Sequence, residues 1–129
     1  MNISQAARRA GLSSKALRYY ESVGLLVPGR GPNGYRQYGS ADVETLQFIQ
    51  RARTCGFSVD EVRELLTLHR NPARRSHDAK LLVEEKLQQV EAQLQALQAM
   101  RENLKSLAVS CAGDDSPECA ILNQLASGR

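Results

Sequence analysis

The sequence predicts a mainly α-helical protein with a helical head, one long helix, and a short loop and helix at the C-terminal end. Residues 78–108 contain no Gly or Pro and are rich in strong helix formers. Before them, four segments with helical spacing of apolar residues are separated by turns containing Gly or Pro. After them, a turn-rich segment carries two cysteines. These features place the segment boundaries at 1–70, 71–109 and 110–129.

The charge is unevenly distributed along the chain. Residues 1–57 carry eight Lys or Arg and three Asp or Glu, whereas residues 58–129 carry nine and eleven. A basic head favours a polyanionic partner such as nucleic acid. The sequence has no apolar run of about 18 residues and no signal-peptide pattern at its start, so we expect a cytoplasmic protein that does not span a membrane. The three cysteines are then expected to be reduced.

Two short helical segments lie on either side of Gly11. Asn2 or Ser4 can cap the first helix, and Ser13 can cap the second. A helix, a Gly-containing turn and a second helix form the helix-turn-helix arrangement. On its exposed side the second helix is expected to offer groups suited to phosphates and base edges. They are Lys15, Arg18 and Tyr19. A solvated helix face is the alternative.

A β-hairpin is predicted to follow. Residues 28–34 are rich in Gly and Pro, and residues 35–38 alternate in polarity as a strand does. A hairpin after a helix-turn-helix is typical of a wing. Arg30 at its tip and Arg36 on its return strand could reach the phosphate backbone or the minor groove of DNA. The alternative is an ordinary hairpin with solvated arginines.

Two further helices complete the predicted head. Ser40 can cap a third helix that reaches about Thr54. Ser58 and Glu61 have the spacing of a capping box for a fourth helix. We expect this helix to end near His69, because Asn-Pro follows.

The long helix carries one apolar stripe. Its members recur at alternating spacings of four and three, with one miss at Arg101, which is typical of a coiled-coil seam. They are Val83, Leu87, Val90, Leu94, Leu97, Leu104 and Ala108. The chain has no second helix of matching length, so we predict pairing with a second copy. A helix packed on its own domain is the alternative.

Cys111 and Cys119 are separated by seven residues rich in turn formers. So short a loop closes at low entropic cost. The spacing differs from that of zinc sites, and two thiolates without a nearby His suit a soft monovalent ion: Cu(I), Ag(I) or Au(I). The N-terminus of a short helix after Cys119 could stabilise the anionic site. A redox-active pair, a stray disulfide and two unrelated thiols are the alternatives.

The order of these elements resembles the MerR family of bacterial transcription regulators. The resemblance covers essentially the whole chain and is clearest in Leu17-Arg18-Tyr19-Tyr20-Glu21, Gly34-Tyr35-Arg36 and Arg51-Ala52-Arg53. It implies a winged helix-turn-helix head and an antiparallel homodimeric coiled coil. It also implies DNA contacts at Lys15, Arg18, Tyr19, Arg30, Tyr35, Arg36 and Arg53.

The resemblance implies a mechanism as well. Family members bind double-stranded promoter DNA with an overlong spacer between the −10 and −35 elements. The effector-bound dimer bends and untwists that spacer, so that RNA polymerase reads both elements. The sequence shows no Ser/His/Asp constellation, paired carboxylates or Gly-rich phosphate loop, so we predict no enzyme activity.

The segment after the long helix looks like the metal loop of the copper- and gold-sensing branch, which implies Cys111 and Cys119 as ligands. Ser76 occupies the position where zinc-, lead- and mercury-sensing relatives carry Cys, so divalent ions are expected to be rejected. Ala112 and Pro117 fit the gold-selective pattern, whereas Asp115 and Ser116 look more like the copper sensors.

Cys55 and His77 lie outside the predicted two-cysteine site. We expect Cys55 to be a small buried hydrophobe. His77 is expected to be solvated, close to the metal site. A thiol redox-responsive regulator of the same fold, using Cys111 and Cys119, is the alternative to metal sensing.

Overall fold

The computed structural model describes residues 1–128, so Arg129, the last residue of the predicted third segment, lies outside it. The described residues form six α-helices and one two-stranded antiparallel sheet, which confirms the prediction of a mainly α-helical fold. They divide into two compact units, the first comprising Met1–Val83 and the second beginning at Glu84. No helix in the described part of the chain is long and apolar enough to cross a membrane.

Helix α1 spans Ile3–Ala10 and helix α2 spans Ser14–Ser22. Of the two predicted caps for α1, Asn2 is the one used: its Oδ1 accepts the Gln5 N–H at 2.9 Å, and Gln5 returns the bond. Gly11 ends α1 with a φ of 77°, in the left-handed region that glycine favours. The predicted helix-turn-helix is therefore present.

Strands β1 (Gly29–Arg30) and β2 (Arg36–Gln37) form the wing. The predicted return strand over residues 35–38 is longer than the observed one. Asn33 explains one end, because its side chain accepts the Tyr35 N–H at 3.2 Å. At the other end, Tyr38 is buried in the core and leads directly into the next helix.

Helix α3 spans Ser40–Thr54 and helix α4 spans Val59–Arg70. Ser40 was predicted to cap α3, but it is the first helical residue and Gly39 is the cap. The Gly39 N–H is bound by the Asp42 carboxylate at 2.8 Å. The capping box that begins α4 forms as predicted.

The core belongs to the first unit. Apolar side chains from α1 to α4 and from the segments around the wing close over one another. The fully buried ones include Leu17, Leu46, Ile49 and Val62. This core fixes the orientation of α2 and the wing, and thus of the side chains that they present to solvent.

Helix α5 spans Ser76–Ser110, two residues longer at each end than the predicted helix, and no residue in it is buried. In the second unit, a loop connects it to α6, which spans Ala120–Ser127. Gln124 and Leu125 of α6 line a shared pocket with Ser106 and Leu107 of α5, so the short helix folds back on the end of the long one.

Candidate DNA-binding surface and thiol pair

Helix α2 separates its core residues from its cationic ones. Leu17 and Tyr20 are buried, as the helical spacing predicts. Lys15, Arg18 and Tyr19 are exposed on the other side. The second helix of the helix-turn-helix therefore offers two cations and a phenol to solvent, the groups that a recognition helix needs for phosphates and base edges.

A cleft of about 460 Å³ lies between α2 and the wing. Arg18 from α2 and Arg30 and Arg36 from the two strands line it, together with Glu21. Three of the seven predicted DNA-contact residues are thus brought together at one concave surface. Such a concentration of guanidinium groups suits a phosphate.

The other predicted DNA-contact residues do not line this cleft. Tyr35 is 74% exposed in the wing and lines a neighbouring cleft with Arg30 and Arg36. Arg53, in the last turn of α3, donates to the Phe57 carbonyl at 3.0 Å. Arg30 makes a similar bond within the wing, to the Gly34 carbonyl at 3.3 Å.

Glu21 connects α2 to the wing. Its Oε2 lies 2.9 Å from Arg36 Nε, and its other carboxylate oxygen accepts a hydrogen bond from the Tyr38 hydroxyl. Burial and the neighbouring Glu21 carboxylate both raise the pKa of Tyr38. The sequence prediction gave Glu21 no role. In the sequence, Glu21 stands out only as an acidic residue that follows the basic and aromatic residues of the Arg-Tyr-Tyr-Glu segment.

The two thiols at the end of α5 are neighbours. Cys111 Sγ lies 3.7 Å from Cys119 Sγ, and both side chains are partly buried. The intervening loop is organised by its own polar groups: Asp114 accepts the Ser116 N–H at 2.9 Å, and Gly113 adopts a φ of 67°. Asp114 therefore acts as a turn residue in this loop.

Helix α6 begins at the thiol pair, with Cys119 as its N-cap residue. The Leu122 backbone N–H lowers the pKa of the Cys119 thiol, and Cys111 and the Ile121 N–H contribute in the same direction. Partial burial opposes them but does not outweigh them. The helix N-terminus therefore favours the thiolate, which is the form that binds soft metals.

The pair has the chemistry to hold a soft ion with two ligands. Cys111 and Cys119 would hold such an ion through their thiolates, which are soft ligands. Within residues 1–128, no group of three or more His, Cys, Asp and Glu is placed to hold a metal ion.

The predicted selectivity residues are all exposed. Ala112 and Pro117 lie in the loop between the two thiols, whereas Ser76 is the first residue of α5 and belongs to the first unit. His77, beside Ser76, is exposed, as expected for a solvated residue.

The prediction of a buried Cys55 is wrong, because this thiol is exposed at the end of α3. Phe57, two residues further on, is buried and fills the core at this turn.

These features define the class of protein: a winged helix-turn-helix that binds DNA. Two family models match the chain. The model described as "MerR HTH family regulatory protein" matches residues 1–68, and the one described as "MerR, DNA binding" matches residues 43–107. The chain therefore belongs to the MerR family of helix-turn-helix regulators. It is a DNA-binding regulator of transcription and not an enzyme.

Relatives with assigned names support this family over the full length. The chain is 46% identical over 129 residues to Heavy metal-dependent transcription regulator 2 of Rhizobium meliloti (strain 1021), covering 99% of this chain and 88% of the relative. It is 45% identical over 127 residues to the HTH-type transcriptional regulator CueR of Yersinia pestis, covering 98% and 91%.

A solved structure supports the same fold. The transcription regulator PbrR691 from Ralstonia metallidurans CH34, crystallised in complex with lead(II), has a TM-score of 0.87 and 34% sequence identity to this chain. The alignment covers 97% of this chain and 98% of the PbrR691 chain.

Proposed function

We propose that the protein is a homodimeric, metal-responsive activator of transcription that senses Cu(I), Ag(I) or Au(I). In this proposal residues 1–70 bind promoter DNA, residues 71–109 form the dimer, and residues 110–129 bind the ion. The observation that carries it is the 3.7 Å separation of Cys111 Sγ and Cys119 Sγ at the start of α6. The heavy-metal dependence in the name of a 46% identical relative supports it.

The donor set favours a monovalent ion. Two thiolates and one monovalent cation leave a net charge of −1, and the N–H groups at the start of α6 offset it. Zn(II), by contrast, prefers four ligands, so it needs more than the two thiolates. By family resemblance, the third would come from the position of Ser76 of the partner subunit, where this chain carries a hydroxyl in place of a thiol. The lead(II) complex of the similar PbrR691 makes this contrast testable.

The choice among the monovalent ions is proposed from the loop. Ala112 after the first thiol and Pro117 two residues before the second match the gold-selective pattern of the resemblance, whereas Asp115 and Ser116 look more like the copper sensors. We therefore expect a response to gold as well as copper.

The exposed stripe of α5 supports the dimer. Its apolar side chains from Val83 to Leu104 are 42–65% exposed in the single chain. A second copy of α5 would cover them. Ion binding at the thiol pair would then favour the dimer conformation that bends promoter DNA, so that RNA polymerase reads both promoter elements.

The test is a titration of the reduced protein with Cu(I), Ag(I), Au(I), Zn(II) and Hg(II). Two quantities are measured: the metal bound to the protein, and transcription in vitro from a promoter fragment that was isolated by its binding to the protein. A Cys55→Ser background is needed, because Cys55 is an exposed thiol that would itself take up soft ions. We expect one monovalent ion per thiol pair and activation by these ions alone. Activation by Zn(II), which needs more than two ligands, would overturn the two-ligand site.

The same geometry favours a second candidate, redox sensing. Sulfurs 3.7 Å apart need to approach by less than 2 Å to form a disulfide, with loss of two protons and two electrons to an oxidant. Activation by a thiol oxidant in a chelator-treated sample, with no response to any ion, would favour this candidate over metal sensing.

A further inference from the structure

The two strands of the wing place two positive charges opposite each other, and neither strand carries an acidic residue to balance them. The antiparallel register pairs Arg30 with Arg36, so two guanidinium groups project from the same face of a two-residue ladder. Like charges directly opposite each other destabilise a strand pair. Arg18 on α2 lines the same cleft and adds a third positive charge.

Glu21 is the acidic residue among the residues that line this cleft. Its side chain is 9% exposed, whereas that of Arg36 is 41% exposed. Each carboxylate oxygen has a different partner, because Arg36 Nε approaches one and the Tyr38 hydroxyl donates to the other. Tyr38 is itself fixed, since the residue is 2% exposed and its carbonyl accepts a hydrogen bond from the Met1 amino group at 2.9 Å.

The contact leaves the outer edge of Arg36 available. Glu21 contacts Nε, and within residues 1–128 no other hydrogen bond of this guanidinium is formed. The two Nη groups are thus the donors that remain, on an arginine whose orientation a largely shielded carboxylate sets. An arginine with its fork oriented in advance loses less side-chain entropy when it binds a phosphate.

We infer that Glu21 is a positioning residue for DNA binding: it holds Arg36 of the wing against the recognition helix, so that Arg18, Arg30 and Arg36 meet one phosphate group of the DNA backbone together. This inference rests on the proposed contact of Arg36 with DNA. An acidic residue beside a polyanion then strengthens binding, although its charge alone would weaken it.

That opposition of sign provides the test. Glu21→Gln raises the net charge by one beside the DNA, so electrostatics without positioning predicts equal or tighter binding. Positioning predicts weaker binding, by about tenfold, because a charge-assisted contact to phosphate is lost. The slope of log K against log salt should fall by about 0.9, the loss of one phosphate contact. Glu64→Gln, an exposed residue of α4, makes the same charge change away from the cleft and is the matched control.

The measurement is fluorescence anisotropy at several salt concentrations with a labelled duplex that the wild-type protein has selected from a randomised pool. Glu21→Asp keeps the charge but shortens the side chain by one methylene, so it should also weaken binding. The double variant Glu21→Gln/Arg36→Gln should bind as Arg36→Gln does. Circular dichroism identifies any variant that fails to fold, and Glu21→Asp then provides the comparison.

The possible outcomes distinguish the positioning role of Glu21 from the proposed contact of Arg36 with DNA. Weaker binding by Glu21→Gln, with the lowered salt slope and no additivity with Arg36→Gln, supports the positioning role. Unchanged or tighter binding by Glu21→Gln, while Arg36→Gln binds weakly, overturns the positioning role alone. Full affinity in Arg36→Gln overturns the proposed contact of Arg36 with DNA, and the inference falls with it.

Discussion

The two units of the chain differ in how they use their apolar residues. The first unit, Met1–Val83, closes a core in which Leu46 and Ile49 are completely buried. The second unit, from Glu84 onwards, has no buried residue among those described, and Leu94 and Leu97 are more than half exposed. The first unit therefore closes a core within the single chain, whereas the second leaves apolar side chains that a second copy of α5 would cover in the proposed dimer. Substitutions in the two units should change different properties of the protein.

Removing a thiol should have the largest effect and should affect only ion sensing. Cys119→Ser leaves Cys111 as a single soft ligand, so affinity for Ag(I) should fall on the order of a thousandfold. Induced transcription should be lost. The measurement is a competition titration in the Cys55→Ser background, with affinity for DNA measured in parallel. DNA affinity should be unchanged, and its loss would contradict the division between a DNA-binding head and a sensing end.

A charge in the apolar stripe should disrupt the dimer. Leu94 lies close to the middle of the stripe that runs from Val83 to Leu104, so in an antiparallel pair Leu94→Asp would bring two buried carboxylates near each other. We expect the dimer dissociation constant to rise at least a hundredfold. Sedimentation equilibrium measures it. Ala96→Asp puts the same charge about 200° around the helix and should leave the dimer intact. Equal effects from both variants would exclude this stripe as the seam.

A core truncation in the first unit should instead lower the free energy of unfolding. Leu46 is completely buried, so Leu46→Ala leaves a cavity and should cost about 2–5 kcal/mol. Urea denaturation followed by circular dichroism measures the loss. Leu97→Ala removes the same atoms from an exposed site and should change stability only through the concentration-dependent dimer. If Leu97→Ala destabilised the protein equally at all concentrations, α5 would be packed within its own chain.

Most of the fold could be predicted because its signals are local. Gly11, Ser13 and the Ser58–Glu61 pair each set a helix boundary through a backbone conformation or a side-chain cap, and these need no tertiary information. The prediction of the wing was less accurate. Tyr38 was expected in the return strand, but it is buried in the core instead. The prediction that Cys55 is buried was wrong for a similar reason, because Phe57 and not the Cys55 thiol occupies the core position.

In the candidate sites, too, the features set by local sequence could be predicted and those set by tertiary contacts could not. The thiol pair could be predicted from spacing, because a loop of seven residues rich in turn formers brings two cysteines together with little help from the rest of the chain. The role of Glu21 could not, because its partners Arg36 and Tyr38 follow it by fifteen and seventeen residues and meet it only in the folded head.

A third thiol should widen the range of ions sensed. Ser76→Cys places a soft ligand at the position from which, in the proposed dimer, it would reach the thiol pair of the partner subunit. We expect Hg(II) or Pb(II) affinity to rise by roughly tenfold to a hundredfold, and these ions should then induce transcription. His77→Cys moves the thiol by one residue and is the matched control. An unchanged divalent response in Ser76→Cys would argue against the missing third ligand as the basis of selectivity.

The smallest predicted effect concerns the recognition helix. Arg18 is exposed on α2 and lines the cleft between α2 and the wing, so Arg18→Ala should weaken binding to the selected duplex by about tenfold, equally with and without ion. Anisotropy titrations in the two states measure this. Arg8→Ala removes the same charge from the exposed side of α1 and should have less effect. If the loss at Arg18 appeared only with ion bound, the two units could not be treated as separable, because the head would then meet DNA differently when the thiol pair is filled.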